Sequence, residues 1–222
     1  MKILRIRIKK GFTLIELLVV IGIIALLASI AVPAFTGVQI RAAQTKAMSN
    51  AKQIGLACKQ YAIDNNGSFP LKPASGSTSN YYFDELIPAY LTTISIFWQV
   101  KDSQLVQTQP SDPSFSGSGP FLGGNDYNHW AYVTGLYDTS KAGAPLITDG
   151  MKSATNHTWA YGNTNQGGIW NGQQAIIVHA DDSAAVSKCT SYMVLASGTD
   201  IFSTTGPYLT ATNTVVNPDG YQ

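Results

Sequence analysis

The sequence predicts an α+β chain: one long N-terminal helix, apolar and membrane-spanning over its first half, packed by its second half on a C-terminal antiparallel β-sheet head. Three observations predict it. Residues 12–34 form an apolar run whose only charge is Glu16. Residues 40–61 continue with apolar side chains at helical spacing. Residues 129–196 hold short β-branched and aromatic runs separated by turn residues, the pattern of strands with short connections.

The apolar run comes first. At ~1.5 Å per residue it is long enough as a helix to cross a bilayer core of ~30 Å. Lys2, Arg5, Arg7, Lys9 and Lys10 precede it, so the N-terminal side is expected to stay cytoplasmic and the rest of the chain to lie outside. A secretory signal has a shorter core, roughly 7–15 residues. Glu16 is the feature that needs a reason. A carboxylate inside a membrane costs roughly 2.5–3.5 kcal/mol on insertion scales, so it is usually partnered. The plain alternative is a signal anchor with a tolerated acid near the interface. Gly22 reads as a small residue for close helix packing.

The second half of the helix follows from spacing. Ile40, Ala43, Ala47, Ala51, Ile54, Cys58 and Tyr61 fall on one face. Arg41, Lys52 and Lys59 lie on an adjacent face, solvated or meeting acidic heads of neighbours. Asp64-Asn65-Asn66-Gly67 ends the helix with the left-handed stop that glycine favours. Beyond it, residues 72–80 read as a polar loop, 83–91 as a short helix interrupted at Pro88, and 94–100 as a strand. Residues 107–128 are rich in Pro and Gly and read as loop. Strands are predicted at 129–137, 145–148, 174–180, 184–188 and 192–196, with Asp181-Asp182-Ser183 as a hairpin turn.

Charge excludes one class of function. From Ile63 onward the chain has twelve acids and five lysines, a net −7, so the head is not a natural binder of polyanions and no nucleic-acid partner is expected. The two cysteines, Cys58 and Cys189, are too far apart in sequence for a CxxC metal or redox pair. An oxidising exterior permits a disulfide between them; two buried free thiols are the other reading. His129, His157 and His179 show no zinc spacing. His179, beside Asp181 and Asp182, reads as a hydrogen-bonded strand-end residue before it reads as a metal ligand. With no GxSxG, P-loop or GxGxxG, the chain is expected not to be an enzyme. The Trp/Tyr/Asn/Gly-rich loops around residues 119–132 and 156–174 read as aromatic anchors for long loops before a sugar or partner surface.

The stretch GFTLIELLVVIGIIALLASIAVPAF, residues 11–35, resembles the N-terminal signal of type IV pilins and type II secretion pseudopilins. The tract QYAIDNNGSFP, residues 60–70, is similar to the segment after the long helix in G-type major pseudopilins. The resemblance implies cleavage between Gly11 and Phe12 by a prepilin peptidase, N-methylation of Phe12, an assembly role for Glu16 and a helix-bending role for Pro33. It divides the chain into a cleaved leader at 1–11, a transmembrane and assembly helix at 12–34, an amphipathic continuation at 35–62 and a head at 63–222. The implied partners are copies of itself, other pilins or pseudopilins, the peptidase/methyltransferase and an inner-membrane assembly platform. The implied location is a single-pass inner-membrane protein that enters a periplasmic or cell-surface filament.

The resemblance also raises calcium, which G-type pseudopilins hold in a loop near the C-terminal strands. Asp200 and Asp219 lie in that part of this chain, with Asp181 and Asp182 upstream. Residues 197–216 carry one acid only, Asp200. Calcium needs roughly six to eight oxygen ligands, so the chain departs from the family pattern and no cofactor is expected. Two further functions remain beside the filament subunit: a minor tip pilin for adhesion or DNA uptake, and an anchored domain that never polymerises.

Overall fold

Helix α1, Leu14–Asp64, is the first element of the computed structural model, which describes residues 12–71, 78–99, 121–122, 128–159, 170, 172–190, 193–196 and 199–218. The chain divides into two units, Met1–Ala42 and Ala43–Gln222. In the first, the described side chains of α1 are exposed; they are taken up below as the candidate site. The helical backbone is continuous through position 33, so the local melting that the proline suggests is not seen.

In the second unit α1 is a packing element. Ala47, Ala51, Ile54, Ala57, Cys58 and Ala62 are buried, with Ala43 and Tyr61 partly so. The alanines allow the backbone to come close to the sheet. Closest approach is at Gly55, where an added Cβ would lie 2.8 Å from Asp182 Oδ1 and 2.9 Å from Val178 Cγ1. Ile40, expected on this stripe, is instead exposed. The helix stops as expected: Asn66 and Gly67 have φ of 55° and 81°, and Gly67 N donates to Ala62 O at 2.8 Å. A side chain at Gly67 would also meet the Asp138 carboxylate, 2.6 Å from the added Cβ.

Among the described residues, seven strands form one antiparallel sheet: β1 Trp130–Thr134, β2 Pro145–Asp149, β3 Gln174–His179, β4 Ala184–Thr190, β5 Met193–Ala196, β6 Thr199–Asp200 and β7 Thr214–Val216. β1 to β6 run as a meander. β7 returns to pair with β1 at the far edge, giving the order β6-β5-β4-β3-β2-β1-β7. Register and alternation place Trp130, Tyr132, Ile147, Asp149, Ile176 and Val178 on one face. That face meets α1, as Gly55 beside Val178 and a Gln44–Gln174 side-chain hydrogen bond show. The opposite face, with Val133 and Val215, shares a groove with His157 and Phe202. Both faces of β1 to β3 are therefore buried.

Two elements differ from the sequence expectation. The helix expected at 83–91 lies earlier, as α2, Ser79–Asp84, followed by turns through Tyr90. The bond between Ile87 and Pro88 is cis. The strand expected at 94–100 is a 3-10 turn, Ser95–Phe97. Its apolar residues are buried because they fill the space under α2: Phe83 packs on Phe97 at 5.2 Å and on Tyr132 at 5.4 Å between ring centroids. The Trp130 indole donates to Ile96 O at 3.3 Å, an arrangement a sheet ladder would not allow. Most of the loop expected at 107–128 lies outside the described residues.

The β3–β4 turn carries a testable electrostatic feature. Asp182 sits at φ 68°, its N–H donates to His179 O, and its Oδ1 is buried without a hydrogen-bond partner. Burial pushes its carboxyl up, against the opposing pull of Lys59 and Lys52. A raised carboxyl favours the protonated form in the folded state. The ionised form therefore costs stability above the folded pKa, and that cost disappears as pH falls below the carboxylate range. Asp182→Asn keeps the shape and tolerates the left-handed backbone. It is expected to stabilise the chain at pH 7 by less than ~1 kcal/mol, given the group's partial solvent access. The gain should vanish at acidic pH. Urea melts of both proteins at pH 7 and pH 3.5 would reveal it, and an equal difference at both values would refute it.

Candidate functional site

The site is the first half of α1. Leu14–Val32 is long and apolar enough to cross a membrane by length and composition. Among the described residues from Phe12 to Ile40, every large hydrophobic side chain is exposed, from Ile40 at 44% to Leu14 at 88%. In water such a surface is unstable, and it requires lipid or other protein around it. Gly22 and Gly37 have nothing within 4 Å of an added Cβ, so each opens a place where a second backbone can approach.

Glu16 is set by its neighbours. Its Oε2 accepts from Thr13 N at 2.8 Å and from Thr13 Oγ1 at 2.7 Å, while Thr13 Oγ1 accepts from Glu16 N at 3.3 Å. This is a capping box: Thr13 is the N-cap and Glu16 the third helical residue, each satisfying a backbone donor of the other. The acid therefore has a partner within its own helix, which the reading of the apolar run overlooked. The pattern Thr-x-x-Glu was the available signal. Thr13, the N-cap, directly follows Phe12, the residue that the resemblance makes the mature N-terminus. Phe12 is 78% exposed. Gly11 and the basic residues before it lie outside the described residues.

The other residues singled out in sequence are dispersed. Cys58 and Cys189 do not form the disulfide; both are free thiols. The reason is placement. Gln44 of α1 meets Gln174 of β3, and Gly55 meets Val178, so the helix runs along β3 in the same sense. Cys58 lies past the Gly55 end. Cys189 lies past the other, with its N–H bonded to Gln173 O. Fourteen helical residues separate Gln44 from Cys58, about 21 Å at ~1.5 Å each, whereas a disulfide needs Cα atoms within about 7 Å. Burial raises both thiols well above their ordinary range, Cys189 to about 12.

His129 is buried, with Nδ1 accepting from Gln99 N at 2.8 Å. His179 Nδ1 is 2.9 Å from Gly143 O, which makes Nδ1 the protonated nitrogen. Asp200 pairs with His157 at 2.5 Å and accepts from Phe202 N. Asp181 caps Ser183 N, and hydrogen bonding to the Ser183 side chain and then to its N–H holds its carboxyl below the usual range. Asp219 lies outside the described residues. No group of three or more His, Cys, Asp or Glu side chains is placed to hold a metal among the described residues.

Comparison with known proteins converges on the same segment. Residues 6–32 match the prokaryotic N-terminal methylation motif. The N-terminus is thus of the prepilin type. The chain is 46% identical over 52 residues to the type IV major pilin protein PilA of Myxococcus xanthus, covering 23% of this chain and 24% of the relative. It is 43% identical over 58 residues to the type II secretion system core protein G of Aeromonas hydrophila, covering 26% and 41%. A fimbrial protein of Neisseria meningitidis serogroup B is 26% identical over 157 residues, 71% of this chain and 86% of that protein. The chain thus spans only about a quarter to two fifths of the first two relatives' length. No solved structure matches it significantly.

Proposed function

We propose that this chain is a structural subunit of a filament of the type IV pilus or type II secretion pseudopilus kind. The observation that carries it is the pairing of an unpartnered apolar helix surface with one acid at the third helical position. An anchor needs the apolar surface alone. The capping box needs only a side-chain acceptor, which glutamine would supply as well; the charge of Glu16 has a use where a positive charge comes to it inside apolar surroundings. Cleavage after Gly11 supplies one, since it leaves an α-ammonium on Phe12. Glu16 of a neighbouring subunit pairs with that ammonium as helices stack, and assembly offsets the burial cost of both charges. The role is structural rather than enzymatic. The chain starts as a single-pass inner-membrane protein, is processed and N-methylated there, and joins other subunits through an assembly platform.

Processing is the direct test. Wild-type protein in filaments should begin at Phe12 with an N-methyl group. Replacing Gly11 by a bulky residue should leave the basic leader attached and remove the filaments. Intact-mass analysis of sheared filaments reads both, and assembled protein that retains Met1 contradicts the reading.

A further inference from the structure

We infer that a flank of α1 within the second unit, formed by the exposed Lys52, Leu56 and Ile63 and the half-buried Lys59, docks a second copy of this chain through that copy's acidic pole at Asp64 and Glu85. This inference rests on the filament reading above and deepens it by naming the contact between heads. Spacings of four, three and four residues put the four side chains on one line of the helix. The line does not face the sheet: Leu56 is 50% exposed and Ile63 79%, beside the buried Ile54 and Cys58. Along it, lysine and apolar side chains alternate.

Among the described residues, neither lysine makes an ion pair within 4 Å. Asp182 acts on both and Asp181 on Lys59 from the β3–β4 turn. The one ion pair within 4 Å among the described residues is nevertheless His157 with Asp200. The complementary surface lies at the C-terminal end of α1. Asp64 closes the helix and accepts from the Tyr90 hydroxyl at 2.8 Å. Burial raises the Tyr61 hydroxyl and the exposed Glu85 adds to it, and Tyr61 packs edge-on against Tyr90 at 5.7 Å. The two acids therefore flank one aromatic pair.

The geometry favours a filament over a closed dimer. Stripe and pole are different patches, so the contact is heterologous, and heterologous contacts that do not close on themselves propagate as filaments. Residues 35–62 carry four basic residues and no acid, and the remainder of the head carries −7. When copies are displaced along parallel α1 helices, the basic flank of one lies beside the acidic end of the next. Apolar contact at Leu56 and Ile63 contributes area, and the charges fix the register.

Charge reversal tests this in cells making the full chain without a wild-type copy. Lys52→Glu with Lys59→Glu, and separately Asp64→Lys with Glu85→Lys, should each lower sheared-filament yield about tenfold, because like charges then face each other. Combining all four substitutions should return the yield to within about twofold of wild type, since complementarity is restored with opposite sign. The neutral pair Lys52→Gln with Lys59→Gln adds no repulsion and should lower yield about threefold; it decides the matter should a reversed chain fail to fold. Wild-type yield from both half-reversed variants or from the neutral pair, or no recovery in a properly folded four-fold variant, overturns the inference while the filament reading stands. Absence of filaments from the processed wild-type chain sinks both.

Discussion

Glu16→Ala is expected to abolish filaments, or reduce them to traces, while cleavage after Gly11 and membrane insertion persist. Insertion persists because losing a charge makes the segment more apolar. Assembly fails because a buried pair that loses one partner strands the other charge, at roughly 3–5 kcal/mol. The capping box complicates the interpretation, since the same substitution also removes the reciprocal cap with Thr13, worth about 1 kcal/mol. Glu16→Gln separates the two contributions. Glutamine at the third helical position still completes a capping box, but it brings no charge to the Phe12 ammonium. If the cap were the purpose of Glu16, the glutamine variant would assemble normally. The charge mechanism instead predicts yield far below wild type for both variants, with glutamine the milder. Micrographs and sheared-fraction blots, in cells lacking the wild-type copy, decide this. Filaments of Glu16→Ala at normal abundance would overturn the charge pairing and leave assembly to the apolar helix surface alone.

What was legible in the sequence was periodic or local. The helix and the burial of Ala47, Ala51, Ile54 and Cys58 follow from 3.6-residue spacing over a long stretch, where the signal accumulates. The β2, β3 and β4 strands follow from short β-rich runs around a turn. Less legible was whatever depends on remote partners. β7 is three residues long and exists because β1 offers an edge. The segment around Ile96 and Phe97 has strand-like composition, yet its burial comes from Phe83 and Trp130 above it. Cys58 faces the head as its place on the stripe implies, but which end of the sheet it faces is set by the helix–β3 contact, and that put Cys189 out of reach. The Thr13–Glu16 box is the opposite case. Its signal is local, and the apolar setting drew attention to the cost of the charge instead of to its neighbour three residues back.

The largest effect expected in the head comes from Asp149, a carboxylate only 1% exposed at the end of β2. Its Oδ2 accepts from Ile176 N at 2.6 Å and from the Trp170 indole at 3.1 Å; its Oδ1 accepts from Gln99 Nε2 at 3.0 Å. One side chain thus ties β2 to β3 and to two loop residues distant in sequence, Gln99 and Trp170. Asp149→Ala leaves these donors buried without an acceptor. At 1–3 kcal/mol for each unsatisfied buried group, less whatever rearrangement and water recover, the loss is expected to be about 3–5 kcal/mol. Asp149→Asn should cost only about 1 kcal/mol, because Gln99 offers compensation. Gln99 Oε1 is buried with no partner, and a flip of that amide lets it accept from the new asparagine while the remaining asparagine oxygen keeps the Ile176 and Trp170 donors. Urea unfolding of the detergent-solubilised chain, followed by tryptophan fluorescence, measures both. The midpoint should drop sharply for alanine and slightly for asparagine at unchanged m. Equal losses would show that Gln99 does not flip. An alanine variant within about 1 kcal/mol of wild type would show that Asp149 does not hold these segments together.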